Sequence, residues 1–397
     1  MKLPDPDFED RGAGHIPSIY RWLSNRIEPF QEADGPPPNR FWPFMRWALK
    51  GTGTEIKIAV AASVSVGIAT VTGFYLIGWL IDAALDYGTG FMAEYWTSFA
   101  LVALFYIVVW PMTMVANAAV NSVSLGPNLY ALVLSRVNKH TLGQSLTFFD
   151  NDFAGRIAQK SQQTARATTD VVLETTNIFG NALSGAISAV VMLAFIDWRL
   201  SFVITVWLLA YVVLMYFYIP RVRVKSKLRA ARRAVVTGQI VDTVTNVATV
   251  KLFAHGDAEE VATKNALAGY REAGVAWAGT VVTFRLFIFT LAGLLPVALV
   301  GLSVWLWGQG FASAGDIAAA GLVSTRLATM TGWVSFASLG IFTNIGEIED
   351  GIRTLAPAHT IVDRPNAAEA SRSRGEIEFR DIDFGYGTSR AALNDFN

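Results

Sequence analysis

The sequence predicts an all-α membrane protein: six transmembrane helices with long cytoplasmic helical extensions, followed by a first β-strand of a further domain. Three observations predict it. Hydrophobic residues make up 52% of the chain and charged residues 16%, with 12 Trp and 25 Phe, where a soluble domain of this length would carry more charge. Six apolar stretches are long enough to cross a hydrocarbon core of about 30 Å, which takes roughly 20 helical residues. The connections between them are very unequal, and the two long ones are too long to be plain loops in a compact protein.

The first 55 residues read as a cytoplasmic segment with interfacial helices. Ile16, Ile19, Tyr20, Leu23, Ile27 and Phe30 fall at helical spacing with Arg21, Arg26 and Glu28 among them, the pattern of an amphipathic helix on a membrane surface. DGPPPN at 34–39 breaks that helix. FWPFMRWALK at 41–50, rich in Trp and Phe beside basic residues, predicts a short helix in the headgroup layer. No signal peptide is visible, so span one is expected to act as the insertion signal.

The spans are expected at 56–81, 95–120, 178–196, 200–219, 284–307 and 317–341. Between Lys57 and Arg136 there is no Lys or Arg, although Asp82, Asp86 and Glu94 lie there, so the connection between spans one and two should face outside. The turn 197–199 and the loop 308–316 are also poor in basic residues. Arg221, Arg223, Lys225, Lys227, Arg229, Arg232 and Arg233 crowd together just after span four. That flank should be cytoplasmic, and with it both termini. The same basic run lacks the interleaved aromatics of a nucleic-acid patch, and no nucleic-acid partner is expected.

The inner connections, 121–177 and 220–283, dwarf the outer ones. A continuous helix from 95 to 140 would reach about 69 Å, more than twice the hydrocarbon core. Helical arms should therefore project into the cytoplasm and turn back near 142–153 and 247–257. After span six, a Pro- and Ser-containing linker leads to a boundary near 371–375 and a strand over 376–383, with Ile377, Phe379 and Ile382 as inward positions. The expected domains are 1–55, 56–345, a linker over 346–375, and 376–397.

Cysteine is absent, which removes disulfides, thiolate metal sites and thiol nucleophiles. His15, His140, His255 and His359 stand singly, so no metal site is expected. Two cations lie within spans. Arg285, at the cytoplasmic start of span five, can snorkel to the interface. Arg326 lies deeper in span six and must face either a water-filled cavity or a polar partner such as a backbone carbonyl. Trp333, seven residues on and near the same helical face, would add an aromatic wall to such a cavity.

Three segments carry a family resemblance. LGQSLTFFDNDFAG, with Phe148, Phe149, Asp150 and Gly155, resembles the first inner-loop signature of ABC exporters. GQIVDTVTNVATVKLFAHGDAEE, with Val250, Lys251 and Phe253, is similar to their second. GEIEFRDIDFGYGTSRAALNDFN resembles the opening strand of an ABC nucleotide-binding domain, and a phosphate-binding loop is expected to follow it; no G-x-x-x-x-G-K-S/T occurs in the 397 residues. The chain thus resembles the membrane half of a bacterial multidrug- or lipid-type half-transporter over almost its whole length, truncated just after the nucleotide-binding domain begins.

That resemblance implies a homodimer or a pair with a related half-transporter, ATP and Mg in the full-length protein, and an amphiphilic small-molecule substrate moved outward by alternating access. Phe148, Phe149, Asp150, Val250, Lys251 and Phe253 would form coupling helices docked on the nucleotide-binding domains, and Tyr386 would stack on adenine. The three Phe are expected to be exposed as docking knobs; packing between neighbouring arms is the alternative. The family's Arg and Asp after the first signature correspond to Lys160 and Thr164, so no ion pair is expected at Thr164. An ATP-independent channel or secondary carrier, or a membrane scaffold subunit, is the rival reading.

Overall fold

The computed structural model describes residues 16–150, 154–359, 367, 375, 377–385 and 391–396. Two short helices, α1 (Ser18–Ser24) and α2 (Phe41–Ala48), lead into six long ones. These are α3 (Gly53–Tyr87), α4 (Trp96–Leu142), α6 (Arg156–Ile196), α7 (Trp198–Thr245), α9 (Gly256–Gly308) and α10 (Ala314–Leu355). A short helix marks each reversal that the sequence places inside: α5 (Leu146–Asp150) and α8 (Val247–Leu252). Five of the six expected spans lie within the long helices and the second begins one residue before α4; both arms turn back where the sequence expects.

Five of the six, all but α10, are long and apolar enough to cross a membrane. Helix α10 is interrupted by Arg326 and by Ser and Thr side chains, several of which bond back to their own helix, as Thr331 does to the Leu327 carbonyl (2.8 Å) and Ser335 to that of Thr331 (2.7 Å). Its apolar stripe of Ala319, Ala320, Val323 and Leu327 is buried against Leu295 and Leu299 of α9 and Ala189 and Leu193 of α6. A helix so enclosed by neighbours needs less lipid-facing apolar surface.

Helix α4 keeps its course through Pro111 and Pro127 because it widens before each. A π-helical turn at Phe105–Val109 precedes the first, and another at Val120–Leu125 precedes the second. A Pro lacks the N–H and clashes with the carbonyl four residues back, and the looser turn accommodates both defects. Helix α6 has a third π-turn at Ile178–Leu183. There α3 and α6 approach closely: a Cβ on Gly67 would lie 2.7 Å from the Asn181 carbonyl, and one on Gly180 would collide with Ser63.

At its N-terminal end, outer by the expected topology, α10 is tied to α3. The Asp82 carboxylate accepts from Ser313 Oγ (2.6 Å) and from the Gly315 N–H (2.7 Å), and Ser313 and Asp316 close a capping box. The negative charge thus sits at the positive end of the α10 dipole.

A second core, the inner core by the expected topology, lies at the opposite end. It joins Phe44, Met45, Trp47 and Ala48 of α2, Leu129, Val133 and Val137 of α4, Ala165 and Val172 of α6, and Ile348, Ile352 and Leu355 of α10. The N-terminal segment is locked onto it. Arg136, 3% exposed, donates to the carbonyls of Gln31, Trp47 and Ala48 (3.0 Å each) and Lys50 (2.9 Å), and Arg26 pairs with the buried Glu55 (2.9 Å).

This docking corrects the expected surface helix over 16–30. The helix ends at Ser24, and Ile27 turns into the core (3% exposed) because the Arg26–Glu55 pair draws the chain inward. Ile16, Ile19, Trp22 and Phe30 remain exposed.

The C-terminal segment also departs from expectation. The strand is Ile382–Gly385, not 376–383, and it pairs antiparallel with Ala391–Phe396. Ile377 and Phe379 are exposed rather than inward. Alternation alone cannot locate a strand whose partner sets its register. Tyr386 lies outside the described residues.

Candidate functional site

Arg326, Thr329, Met330 and Trp333 recur at three- and four-residue steps, so one stripe of α10 carries all four. With Asn181 they line a cavity of about 240 Å³. Asn181 comes from the π-turn of α6, where the widened backbone offsets it from the regular helical face. Arg326 is half-buried, and its guanidinium has no hydrogen-bond or ion-pair partner among the described residues; only its carbonyl is used, by Thr329 Oγ1. Trp333 is 41% exposed and walls the same cavity. Arg326 thus borders this cavity and has no side-chain partner among the described residues.

Further cations meet α10 toward the inner end. Arg285 of α9 lies 4.5 Å over the Phe336 ring, and Arg223 of α7 lies 5.0 Å over Phe342. Arg285 is thus held on an aromatic face rather than reaching only for the interface. Phe336, Phe342 and Asn181 escaped the sequence reading. Phe336 could have been found from its i+3 spacing to Trp333, whereas Asn181 becomes visible only once the π-turn is known.

Beside this cavity, α6, α7 and α10 form an apolar groove of about 200 Å³, lined among others by Ala186, Trp207, Tyr211, Leu327, Met330 and Val334. The polar atoms of its walls are already satisfied. Trp207 Nε1 donates to the Leu291 carbonyl (2.7 Å), and Tyr211 Oη bonds Ser335 Oγ (3.0 Å).

At the inner reversals the expected knobs separate into two kinds. Phe148 and Phe149 are half-buried, edge-to-face with each other (5.3 Å), and packed against the inner core, which corrects the expectation that they stand exposed. Asp150 ends α5. Among the described residues the exposed apolar side chains there are Leu142 (72%) and Leu146 (82%). At the second reversal Leu252 (79%) and Phe253 (63%) project, with Lys251 exposed and Val250 half-buried. The turn passes through Ala254 in the left-handed region (φ 54°) and closes with the His255 N–H on the Val250 carbonyl (3.0 Å).

Lys160 pairs with Asp350 of α10, while Thr164 bonds back to the Lys160 carbonyl and packs against Gly351. The missing ion pair at Thr164 is replaced by close helix contact.

Residues 56–330 match the family model of the ABC transporter transmembrane region. The chain belongs to that family. Its helix order and arrangement are those of an exporter-type membrane domain: a bacterial Atm1-family ABC exporter with ATP bound superposes with a TM-score of 0.65 over 87% of this chain and 61% of that one, at 16% identity. An ABC transporter ATP-binding protein of Haemophilus influenzae is 30% identical over 96% of this chain and 62% of its own length. A beta-(1→2)glucan export ATP-binding/permease protein of Bradyrhizobium diazoefficiens is 24% identical over 67% of this chain and 44% of its own. The chain thus spans less than two thirds of the length of these relatives. Five long apolar helices plus α10, in a chain of this family, make it a multi-pass membrane protein.

Proposed function

We propose that this chain forms the membrane pathway of an ATP-driven exporter that carries amphiphilic small molecules outward by alternating access. It acts as half of a homodimer or of a pair with a related chain, in the inner (plasma) membrane, with both termini cytoplasmic. The carrying observation is Arg326, a cation deep in α10 with no side-chain partner among the described residues, facing a cavity walled by Trp333. A charge kept at such depth is costly unless it meets water or a ligand.

The arms supply the mechanical side. Helices α7 and α9 pair along their cytoplasmic lengths, clamped by Glu259, which accepts from Gln239 (3.1 Å) and Thr243 (2.6 Å), and by Arg229 over Trp277 (4.4 Å). A push on Leu252 or Phe253 at the tip would reach the spans along two bound helices. Phe148, Phe149 and Asp150 sit at the first tip, with Leu142 and Leu146 as its outward apolar contacts.

ATP and Mg would provide the closing free energy when bound to nucleotide-binding domains, with Tyr386 assigned to adenine. The described C-terminal residues present apolar Ile377, Phe379 and Phe384 and no phosphate cradle, so they do not fit the triphosphate by themselves.

The test is ATP-dependent accumulation of a fluorescent amphiphile in inverted vesicles holding the full-length protein. Uptake that requires ATP supports the reading. Uptake indifferent to ATP and driven by an ion gradient would establish a secondary carrier instead.

A further inference from the structure

We propose that the Arg326 cavity and the neighbouring apolar groove are one bipartite site for an amphiphile with an anionic head and a single hydrocarbon tail. The proposal rests on the exporter reading and names its substrate class. Met330 lines both spaces and is their common wall. On one side stand Arg326, whose guanidinium is unpaired among the described residues, and Asn181 and Thr329, whose side chains can add hydrogen bonds. On the other side the polar groups are consumed, Trp207 by the Leu291 carbonyl and Tyr211 by Ser335, which leaves an apolar surface. The complement of an unsatisfied guanidinium joined to a satisfied apolar groove is an anion joined to an alkyl chain.

The groove is open on one side, where Leu183 and Val212 are 46% and 60% exposed. A tail can slide into it from the bilayer without entering water. Lipid is as apolar as the groove, so the tail gains little by moving from one to the other. Selection must therefore come from the head. A guanidinium presents a fork that matches carboxylate or phosphate oxygens two at a time and repels an ammonium head. Charge-assisted bonds of this kind imply about a ten- to hundredfold preference for the anionic head.

The same chemistry could belong to transported cargo or to a resident anionic phospholipid; we commit to cargo. The test uses the full-length protein in proteoliposomes of neutral phospholipid and two matched probes, a dodecyl phosphate and a dodecyl trimethylammonium, each with a photoreactive group at the tail tip. In nucleotide-free protein the phosphate probe should label groove peptides from α6, α7 and α10 at least tenfold more than the ammonium probe. Arg326→Gln should abolish that preference, and Arg326→Lys should keep most of it. Ala186→Trp should block groove labelling by both probes.

Equal labelling by the two probes, or a preference unchanged in Arg326→Gln, overturns the proposal. Labelling that persists after trapping with ATP and vanadate would identify a resident lipid and overturn the cargo assignment. Labelling needs no turnover, so its absence in protein with intact ATPase activity defeats the site alone. Absent ATPase activity with intact labelling defeats the exporter reading alone.

Discussion

Replacing Arg136 with Met, which keeps length and apolar bulk, should loosen the N-terminal segment without detaching α2. The guanidinium satisfies four carbonyls at once. The Trp47 carbonyl retains the Lys50 N–H (3.4 Å), so three acceptors, those of Gln31, Ala48 and Lys50, lose their partner. An orphaned buried acceptor costs about 1 to 3 kcal/mol. A neighbouring cavity of about 540 Å³, lined by Gln31, Trp47 and Arg136 among others, lets water recover part of this, so the lower half of the range applies. The net cost is about 3 to 6 kcal/mol.

The apolar anchors oppose release. Ile27, Phe44, Met45 and Trp47 stay buried, at roughly 1.5 to 3 kcal/mol each, and together outweigh the loss. Opening should therefore be confined to the stretches around Gln31 and Lys50. Because every 1.4 kcal/mol is tenfold, the local opening constant should rise by about two to four powers of ten. Trypsin cleavage after Lys50, which tracks that constant when opening is fast, is the assay. Arg136→Lys should recover part of the protection. A cleavage rate in Arg136→Met equal to wild type would refute the reasoning.

Three other outcomes follow from the same geometry. Asp82→Ala removes the acceptor for Ser313 and Gly315 at the start of α10 and should lower stability by about 1 to 3 kcal/mol, read as a lower melting temperature in detergent; an unchanged melting point would show that water replaces the carboxylate. Phe149→Ala should weaken the inner core and reduce expression, whereas Phe253→Ala should spare folding and uncouple ATPase activity from transport; the reverse ranking would contradict the observed packing. Gly351→Ala places a Cβ onto Thr164 Oγ1 and should destabilise by about 1 to 3 kcal/mol, with partial rescue in the Thr164→Ala background; additive losses in the two variants would exclude that contact.

The long helices were legible because apolar length and the distribution of Lys and Arg are properties of the chain itself. The reversals were legible for a related reason: helices much longer than a bilayer must turn back in water. Errors arose where an apolar residue could face either lipid or protein. Ile27 has the periodicity of a surface anchor, and Phe148 and Phe149 lie in a segment whose resemblance implied docking knobs; only the inner core assembled from four distant segments shows them packed. Arg136 carried no signal, since its partners are backbone carbonyls. Arg326 was found from depth alone, while Asn181 depended on a π-turn that no spacing rule anticipates.

The central claim, that the Arg326 stripe of α10 faces an aqueous pathway that changes access with ATP, is tested most directly at Thr329. This position is exposed, lies on that stripe, and belongs to a chain without cysteine. In Thr329→Cys full-length protein, a small water-soluble thiol reagent should react in the nucleotide-free state and be excluded once ATP closure is trapped, while Ala320→Cys, buried in the helix core, stays unreactive throughout. Equal reactivity at Thr329→Cys in both states, or none in either, would contradict the account.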